Sequence, residues 1–231
     1  MNGTGVFLKK YAWRGILAGM LTIILLRLGG ADAAALAQNC GQWSIVPSPN
    51  AGSFSNSLYG ITALSPNDVW AVGTASTATL TEHWNGTQWT VVKSPTIGTA
   101  YTVLYSVTAV STNDVWAVGY TGSYPNYNYT ALIEHWNGQQ WKLVKSPNTA
   151  AQLSAVAAAS PNNVWAVGAF SDLLQASTYH WDGTRWSNIA NPTLPFSQFS
   201  AVATTSAGDF WAVGSYRPQQ SPDQTLIEFY C

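Results

Sequence analysis

The sequence predicts an all-β fold: a four-bladed β-propeller with four antiparallel strands in each blade. The first reason is a repeat. The pentapeptide Val-Trp-Ala-Val-Gly occurs four times, with Phe replacing the first Val in the last copy, and Trp70, Trp116, Trp165 and Trp211 are 46, 49 and 46 residues apart. The second reason is composition, because 8% of the 231 residues are charged and 12 are tryptophan, whereas a typical soluble domain is about 25% charged.

The second repeat illustrates the predicted strands. Four short segments, residues 104–110, 115–120, 131–136 and 141–144, are rich in β-branched and aromatic residues and bounded by Ser, Asn, Gly and Pro. The intervening turns contain Asn, Asp and Gly, which favour hairpins because they tolerate positive φ. Four antiparallel strands that recur at this spacing are typical of a propeller blade.

The two ends of the repeat region predict how the ring closes. Residues 42–49 (QWSIVPSP) match the fourth strand of a repeat, and residues 225–231 (TLIEFYC) match the third. We therefore expect the N-terminal strand to complete the last blade, which removes exposed sheet edges. The same alignment places Cys40 and Cys231 at neighbouring positions and predicts a disulfide between them across the seam. Two unpaired cysteines, or a bridge between molecules, are the alternatives.

The N-terminal 37 residues predict a secretory signal peptide. Three basic residues precede the apolar run 15–26, which is shorter than the about 20 residues of a membrane-spanning helix. Ala35-Leu36-Ala37 then matches the small-x-small cleavage pattern. We expect residues 1–37 to be removed and residues 38–231 to form the propeller domain of a secreted or cell-surface protein. An uncleaved membrane anchor is the alternative.

Charge and composition exclude several classes of protein. The net charge is −1 and the pI about 6.2, so the chain lacks the basic footprint of a nucleic-acid-binding protein. The composition is also unlike that of a coiled coil, a disordered tail or a helical repeat array. We expect a monomer with no nucleic-acid partner.

The repeats resemble those of a known group of proteins. The Val-Trp-Ala-Val-Gly motif, followed by His-Trp-Asn/Asp-Gly at 83–86, 135–138 and 180–183, resembles repeats of secreted bacterial β-propellers related loosely to the kelch and galactose-oxidase-like group. The resemblance covers residues 40–231 and implies the architecture. One glycine follows each Trp-Ala-Val instead of the kelch double glycine, and propellers serve many functions. No catalytic residue is therefore carried over.

Three histidines at equivalent positions, His83, His135 and His180, are candidate metal ligands. They fall on predicted third strands, away from the innermost strands, so ligands from different blades are too far apart. We expect each to hydrogen-bond within its own blade, and we expect no metal and no cofactor. The turn residues of the four repeats are Asp68, Asp114, Asn163 and Asp209. One carboxylate per blade does not supply the several oxygen ligands of calcium, so these residues predict Asx turns.

Carboxylates offer little support for catalysis. Glu82, Glu134 and Glu228 lie on separate blades, whereas the two carboxylates of a glycosidase are about 5–10 Å apart. The variable loops supply only Asp172 and Asp223, again from different blades.

The predicted binding surface is the face that carries the loops that differ between repeats. These loops leave second strands or enter first strands, and variation on a rigid scaffold is typical of binding sites. The candidate ligand-binding residues are Tyr101, Tyr120, Tyr124, Tyr127, Tyr129, Phe170, Phe196, Tyr216 and Arg217. Uncharged Tyr and Asn side chains suit stacking and hydrogen bonding to sugars or to a protein.

We therefore predict a secreted, non-catalytic binding module for a glycan or an extracellular protein. Two alternatives remain: an extracellular hydrolase or lyase that acts on carbohydrate, and a structural cell-surface propeller.

Overall fold

The structure, a computed structural model, describes residues 41–95, 97, 101–123, 128–147, 150–170, 175–192, 194–205 and 207–231. All of them belong to the unit Ala31–Cys231, and the unit Met1–Gly30 lies outside the described residues. The predicted signal peptide is therefore also outside them. The described part of the chain contains no helix that is long and apolar enough to cross a membrane.

The described residues form four antiparallel sheets, which we call blades 1 to 4. Their strands are β1 (Asn56–Ser65), β2 (Asp68–Ala75), β3 (Ala78–Trp84), β4 (Trp89–Val91), β5 (Tyr101–Ser111), β6 (Asp114–Ser123), β7 (Asn128–Trp136), β8 (Trp141–Leu143), β9 (Ala151–Ser160), β10 (Asn163–Phe170), β11 (Gln175–Trp181), β12 (Trp186–Asn188), β13 (Gln198–Thr204), β14 (Phe210–Tyr216) and β15 (Gln224–Tyr230). Blades 1 to 3 have four strands in sequential order, and blade 4 has three.

The blades stack in chain order through their sheet faces. The first strands pack on one another in sequence, β1 on β5, β5 on β9 and β9 on β13. This places the first strand of every blade innermost and the fourth strand outermost, as in a propeller. The predicted four blades are therefore confirmed.

The predicted closing strand is not in place. Residues 42–50 belong to none of the sheets, and the side chains of Trp43 and Ile45 are almost fully exposed. The strands β1 and β13 are not among the strand pairs that pack closely, and residues 42–46 form no strand beside β15. Cys231, which follows β15, is exposed, and Cys40 lies outside the described residues. The disulfide therefore stays a prediction.

In the first three repeats, the tryptophan of the pentapeptide packs against the next blade. The indole of Trp116 is almost completely buried, and its ring centroid lies 5.0 Å from that of Trp181 and 5.4 Å from that of Trp186 in blade 3. Trp70 makes the same contacts with Trp136 and Trp141 of blade 2, at 5.0 and 5.3 Å. These indoles, with the valines beside them, form the core between blades.

The glycine that ends each pentapeptide allows a close backbone approach. A Cβ on Gly119 would overlap the carbonyl oxygen of Val103 on the neighbouring first strand, and the other three glycines are equally close to a carbonyl oxygen. Beside each of these glycines the first strand contains a β-bulge. A bulge adds one residue to a strand and re-aims its side chain. The side chain that the first strand presents beside this glycine is therefore that of the bulge residue.

A buried glutamate links blades 1 and 2. Glu134 on β7 is fully buried and its Oε2 accepts a hydrogen bond of 2.6 Å from Ser94 Oγ, which follows β4. Burial raises the pKa of Glu134 to about 7, although the Ser94 hydrogen bond lowers it. Glu82, at the same position of blade 1, is also buried, and its carboxylate oxygens have no hydrogen-bond partner within the described structure.

The substitution Glu134→Gln should remove part of the pH dependence of stability. Because the pKa of Glu134 is higher in the folded state than the usual 4.5, its contribution is complete below pH 4.5 and is lost as the pH rises through about 7. Gln keeps an acceptor for Ser94 and carries no charge. At pH 8 we expect the variant to be the more stable, by at most about 3 kcal/mol. Urea unfolding from pH 4.5 to 8.5 measures this, and a variant as pH-dependent as the wild type would contradict it.

Candidate functional site

The bulges place one residue of each innermost strand in a single cleft. The bulge residues are Tyr59, Tyr105, Ser154 and Ser200, one from each blade. They line a cavity of about 480 Å³ together with Tyr120, Gln152 and Leu153. We call this cavity the tyrosine cleft. All four blades contribute lining residues, so the stacking of the blades determines the shape of the cleft.

A continuous series of tyrosine rings borders the cleft. Ring centroids lie 5.1 Å apart for Tyr59 and Tyr105, and 5.7 Å apart for Tyr105 and Tyr120. Tyr120 also contacts Tyr129 edge-on at 4.7 Å and lies 6.5 Å from Tyr101. About half of the Tyr59 side chain is exposed. The series therefore joins half-buried rings to exposed rings that a ligand can reach.

The cleft is electrically neutral. Burial raises the pKa values of Tyr101 and Tyr120 above their usual range, and neighbouring tyrosines raise both further. The phenols therefore remain protonated at physiological pH. The other polar lining groups are the amide of Gln152 and the hydroxyls of Ser154 and Ser200. The lining can stack and can exchange hydrogen bonds, and its described residues carry no formal charge.

The structure brings together three of the predicted ligand-binding residues, Tyr101, Tyr120 and Tyr129. Tyr124 and Tyr127 lie outside the described residues. Phe170, another predicted residue, does not line the tyrosine cleft. Its side chain is only 8% exposed and packs in the core between blades 2 and 3, because this position of β10 faces inward.

The remaining predicted residues lie on blade 4 and do not line the tyrosine cleft. Phe196 is exposed in a turn with a φ of 49°. Tyr216 packs against the core between blades 3 and 4. Arg217 donates a hydrogen bond from Nε to Asp223 Oδ1 at 2.6 Å, and its backbone N–H donates to the carbonyl of Pro195. This ion pair is exposed and neutralises the charge of Arg217 locally.

Sequence reasoning missed the four bulge residues, although the repeats contain a signal for them. Each lies eleven residues before the tryptophan of its pentapeptide and follows an apolar residue, in Leu-Tyr, Leu-Tyr, Leu-Ser and Phe-Ser. The position lies inside a predicted strand, where side chains alternate between the two faces of the sheet. That alternation alone would place the residue on one face of its blade. Only the bulge turns it toward the cleft.

Each histidine bonds within its own blade, as predicted. The Nε2 of His83 and of His135 lies 2.9 and 2.8 Å from the carboxylate of Asp68 and Asp114, and His180 makes the same contact with Asn163 at 2.9 Å. The imidazoles also lie against the buried tryptophans, as in the stacking of His135 on Trp116 at 4.1 Å. In the described part of the chain, no three His, Cys, Asp or Glu side chains are close enough to hold a metal ion.

Comparisons with known proteins identify the fold only. No family model and no curated protein matches the chain. Among solved structures, YCF48 from Cyanidioschyzon merolae has a TM-score of 0.50 at 12% identity, over 72% of this chain and 50% of that chain. YCF48 bound to D1 peptide has a TM-score of 0.50 at 14% identity, over 78% of this chain and 60% of that chain. These neighbours are β-propellers, and this chain spans between half and three fifths of their length.

Replacing Asp114 tests whether the turn residue acts as a hydrogen-bond acceptor for histidine. Asp114→Ala should destabilise the fold by about 1–2 kcal/mol, because His135 loses its partner. Asp114→Asn should be nearly neutral, since Asn163 already holds His180 at the same distance. Urea unfolding measures both. Equal losses in the two variants would show that the charge of Asp114, and not its acceptor oxygen, stabilises the blade.

Proposed function

We propose that this protein is a non-catalytic binding module that holds a glycan in the tyrosine cleft. The observation that supports this best is the series of tyrosine rings beside neutral hydrogen-bonding groups. A tyrosine ring offers an apolar face and a polar tip, which matches the apolar C–H faces and the hydroxyls of a sugar. Binding pockets commonly combine an aromatic lining with a few placed polar groups.

The lining favours recognition over hydrolysis. Glycoside hydrolysis uses a pair of carboxylates beside the scissile bond, and the described residues that line the cleft include no carboxylate. Of the two loop carboxylates, Asp223 is engaged by Arg217, and Asp172 lies outside the described residues.

A segment of an extracellular protein is the second candidate ligand. One of the neighbouring propellers is described as bound to a D1 peptide, so this fold can present a peptide site. The uncharged Tyr, Ser and Gln lining also suits backbone amides, which are neutral and form hydrogen bonds.

We place the module outside the cell or on its surface. The support for this is the basic start, the apolar run and the Ala-Leu-Ala site of the first 37 residues. At the surface, the ligand would be a glycan of the envelope or of its surroundings.

The substitution Tyr59→Ala should abolish most of the binding. A glycan array and a pull-down on cell envelope identify the ligand, and isothermal titration then measures its affinity. We expect a loss of at least about tenfold for Tyr59→Ala, because the ring is exposed at the cleft, and a smaller loss for Tyr59→Phe. Phe196→Ala is the matched control, since Phe196 is an equally exposed aromatic residue outside the cleft. Binding that Phe196→Ala weakens and Tyr59→Ala leaves intact would contradict the proposed site.

A further inference from the structure

The tyrosine cleft has two chemically different halves. The lining residues from blades 1 and 2 are Tyr59, Tyr105 and Tyr120, which we call the aromatic half. Their rings follow one another at centroid distances of 5.1 and 5.7 Å. They form one wall of the cleft, and that wall offers ring faces and phenol groups to a ligand.

The opposite contribution comes from blades 3 and 4 and contains no aromatic side chain among the described residues. Its polar members are Gln152, Ser154 and Ser200, which we call the polar half. The described lining of both halves carries no formal charge. A ligand that fills the cleft therefore meets aromatic rings on one side and an amide with hydroxyls on the other.

The two halves arise from one difference between the repeats. Two positions before the bulge residue, blades 1 and 2 have Ser57 and Val103, whereas blades 3 and 4 have Gln152 and Gln198. Blades 3 and 4 therefore share the pattern Gln-x-Ser at the place where blades 1 and 2 end in Tyr. Two residues span about 7 Å along a strand, so β9 alone presents an amide and a hydroxyl to one small ligand.

These polar groups have no structural task among the described residues. Neither the side-chain amide of Gln152 nor the hydroxyl of Ser154 has a hydrogen-bond partner within the described part of the chain, and both residues are half-buried. Ser106 on the neighbouring first strand behaves differently, because its Oγ accepts a hydrogen bond of 3.2 Å from the backbone N–H of Val156 and so joins blades 2 and 3. The amide of Gln152 and the hydroxyl of Ser154 are available to a ligand.

The chemistry of these groups matches a secondary amide on the ligand. A glutamine side chain has an N–H₂ donor and a carbonyl acceptor at fixed positions, whereas a serine hydroxyl can donate or accept. The N–H and the carbonyl of a secondary amide point in opposite directions, so two separate protein groups are needed to satisfy them. Gln152 Nε2 can donate to the ligand carbonyl, and Ser154 Oγ can accept from the ligand N–H.

We propose that the ligand of the tyrosine cleft is a glycan built from N-acetylated amino sugars, an inference that rests on the proposed glycan-binding function. The aromatic half stacks on the pyranose ring, and the polar half binds the acetamido group. The cavity of about 480 Å³ falls within the about 300–1,000 Å³ of ligand pockets. The uncharged lining suits a neutral sugar unit.

The same groups account for selection against a sugar that lacks the acetamido group. A site built to hydrogen-bond a ligand group discriminates against an analogue without it, because the polar groups of the site are then left unpaired. A hexose with a hydroxyl at that carbon offers no carbonyl to Gln152. The two sugars stack equally well on the aromatic half, so the difference in affinity arises from the polar half.

A peptide also carries secondary amides and is the competing class of ligand. A pyranose ring fits the aromatic half better, since its C–H groups form a compact apolar face that matches a tyrosine ring. The peptide class is therefore one outcome of the test.

The test compares two β-1,4-linked trisaccharides, one of N-acetylglucosamine and one of glucose, which differ only at the second carbon of each unit. Isothermal titration of the full chain measures both dissociation constants. We expect the acetylated trimer to bind at least about tenfold more tightly. Gln152→Met keeps the length of the side chain and removes its amide. This variant should abolish most of the preference, with the loss confined to the acetylated trimer.

The control is Gln139→Met, an exposed glutamine in the turn between β7 and β8, outside the cleft, which should leave both constants unchanged. Circular dichroism checks that each variant retains the wild-type strand content. A preference that survives Gln152→Met would overturn the role of the polar half.

Three further outcomes separate this inference from the proposed function. Equal affinity for the two trimers, weakened in both by Tyr59→Ala, would overturn the amino-sugar ligand and leave the glycan site standing. Binding of neither trimer would also overturn it, while a glycan array still tests the proposed function. Binding of trialanine blocked at both ends, and of neither trimer, would overturn the sugar in favour of a peptide.

Discussion

The tryptophan of each repeat is buried only when another blade lies beside it. Trp70, Trp116 and Trp165 are almost completely buried, and each rests on aromatic side chains of the next blade. Trp211 has the same local sequence and is half exposed. Stability in such arrays is approximately a sum of terms within and between neighbouring units, so each buried tryptophan stabilises the interface between two blades.

The same packing produces the candidate site. The glycine that follows each tryptophan by three residues lets the first strand approach, and the bulge beside it turns Tyr59, Tyr105, Ser154 and Ser200 into one cleft. The cleft is therefore a product of the repeat itself, and the four repeats present Tyr, Tyr, Ser and Ser at the bulge position. Binding specificity can change at these positions without altering the interfaces that hold the blades together.

The repeat spacing was sufficient to predict the blades, and the equivalent positions of the histidines predicted a bond within each blade. Their partners, the turn residues, were expected to form Asx turns and instead face the imidazoles. The alignment of the chain ends predicted a closing strand that the described structure does not contain, because an alignment carries no information on the rotation between neighbouring blades. Alternation within a strand does not reveal a bulge, so Tyr59 and Tyr105 were missed. The loop argument did not anticipate that Phe170, the last residue of β10, packs in the core.

The central claim is that the bulges of the four blades present one ligand site, the tyrosine cleft. A crystal structure of the chain with its ligand tests it most directly. The account predicts that the ligand contacts the rings of Tyr59 and Tyr105. A ligand bound only elsewhere, with the tyrosine cleft empty, would contradict it.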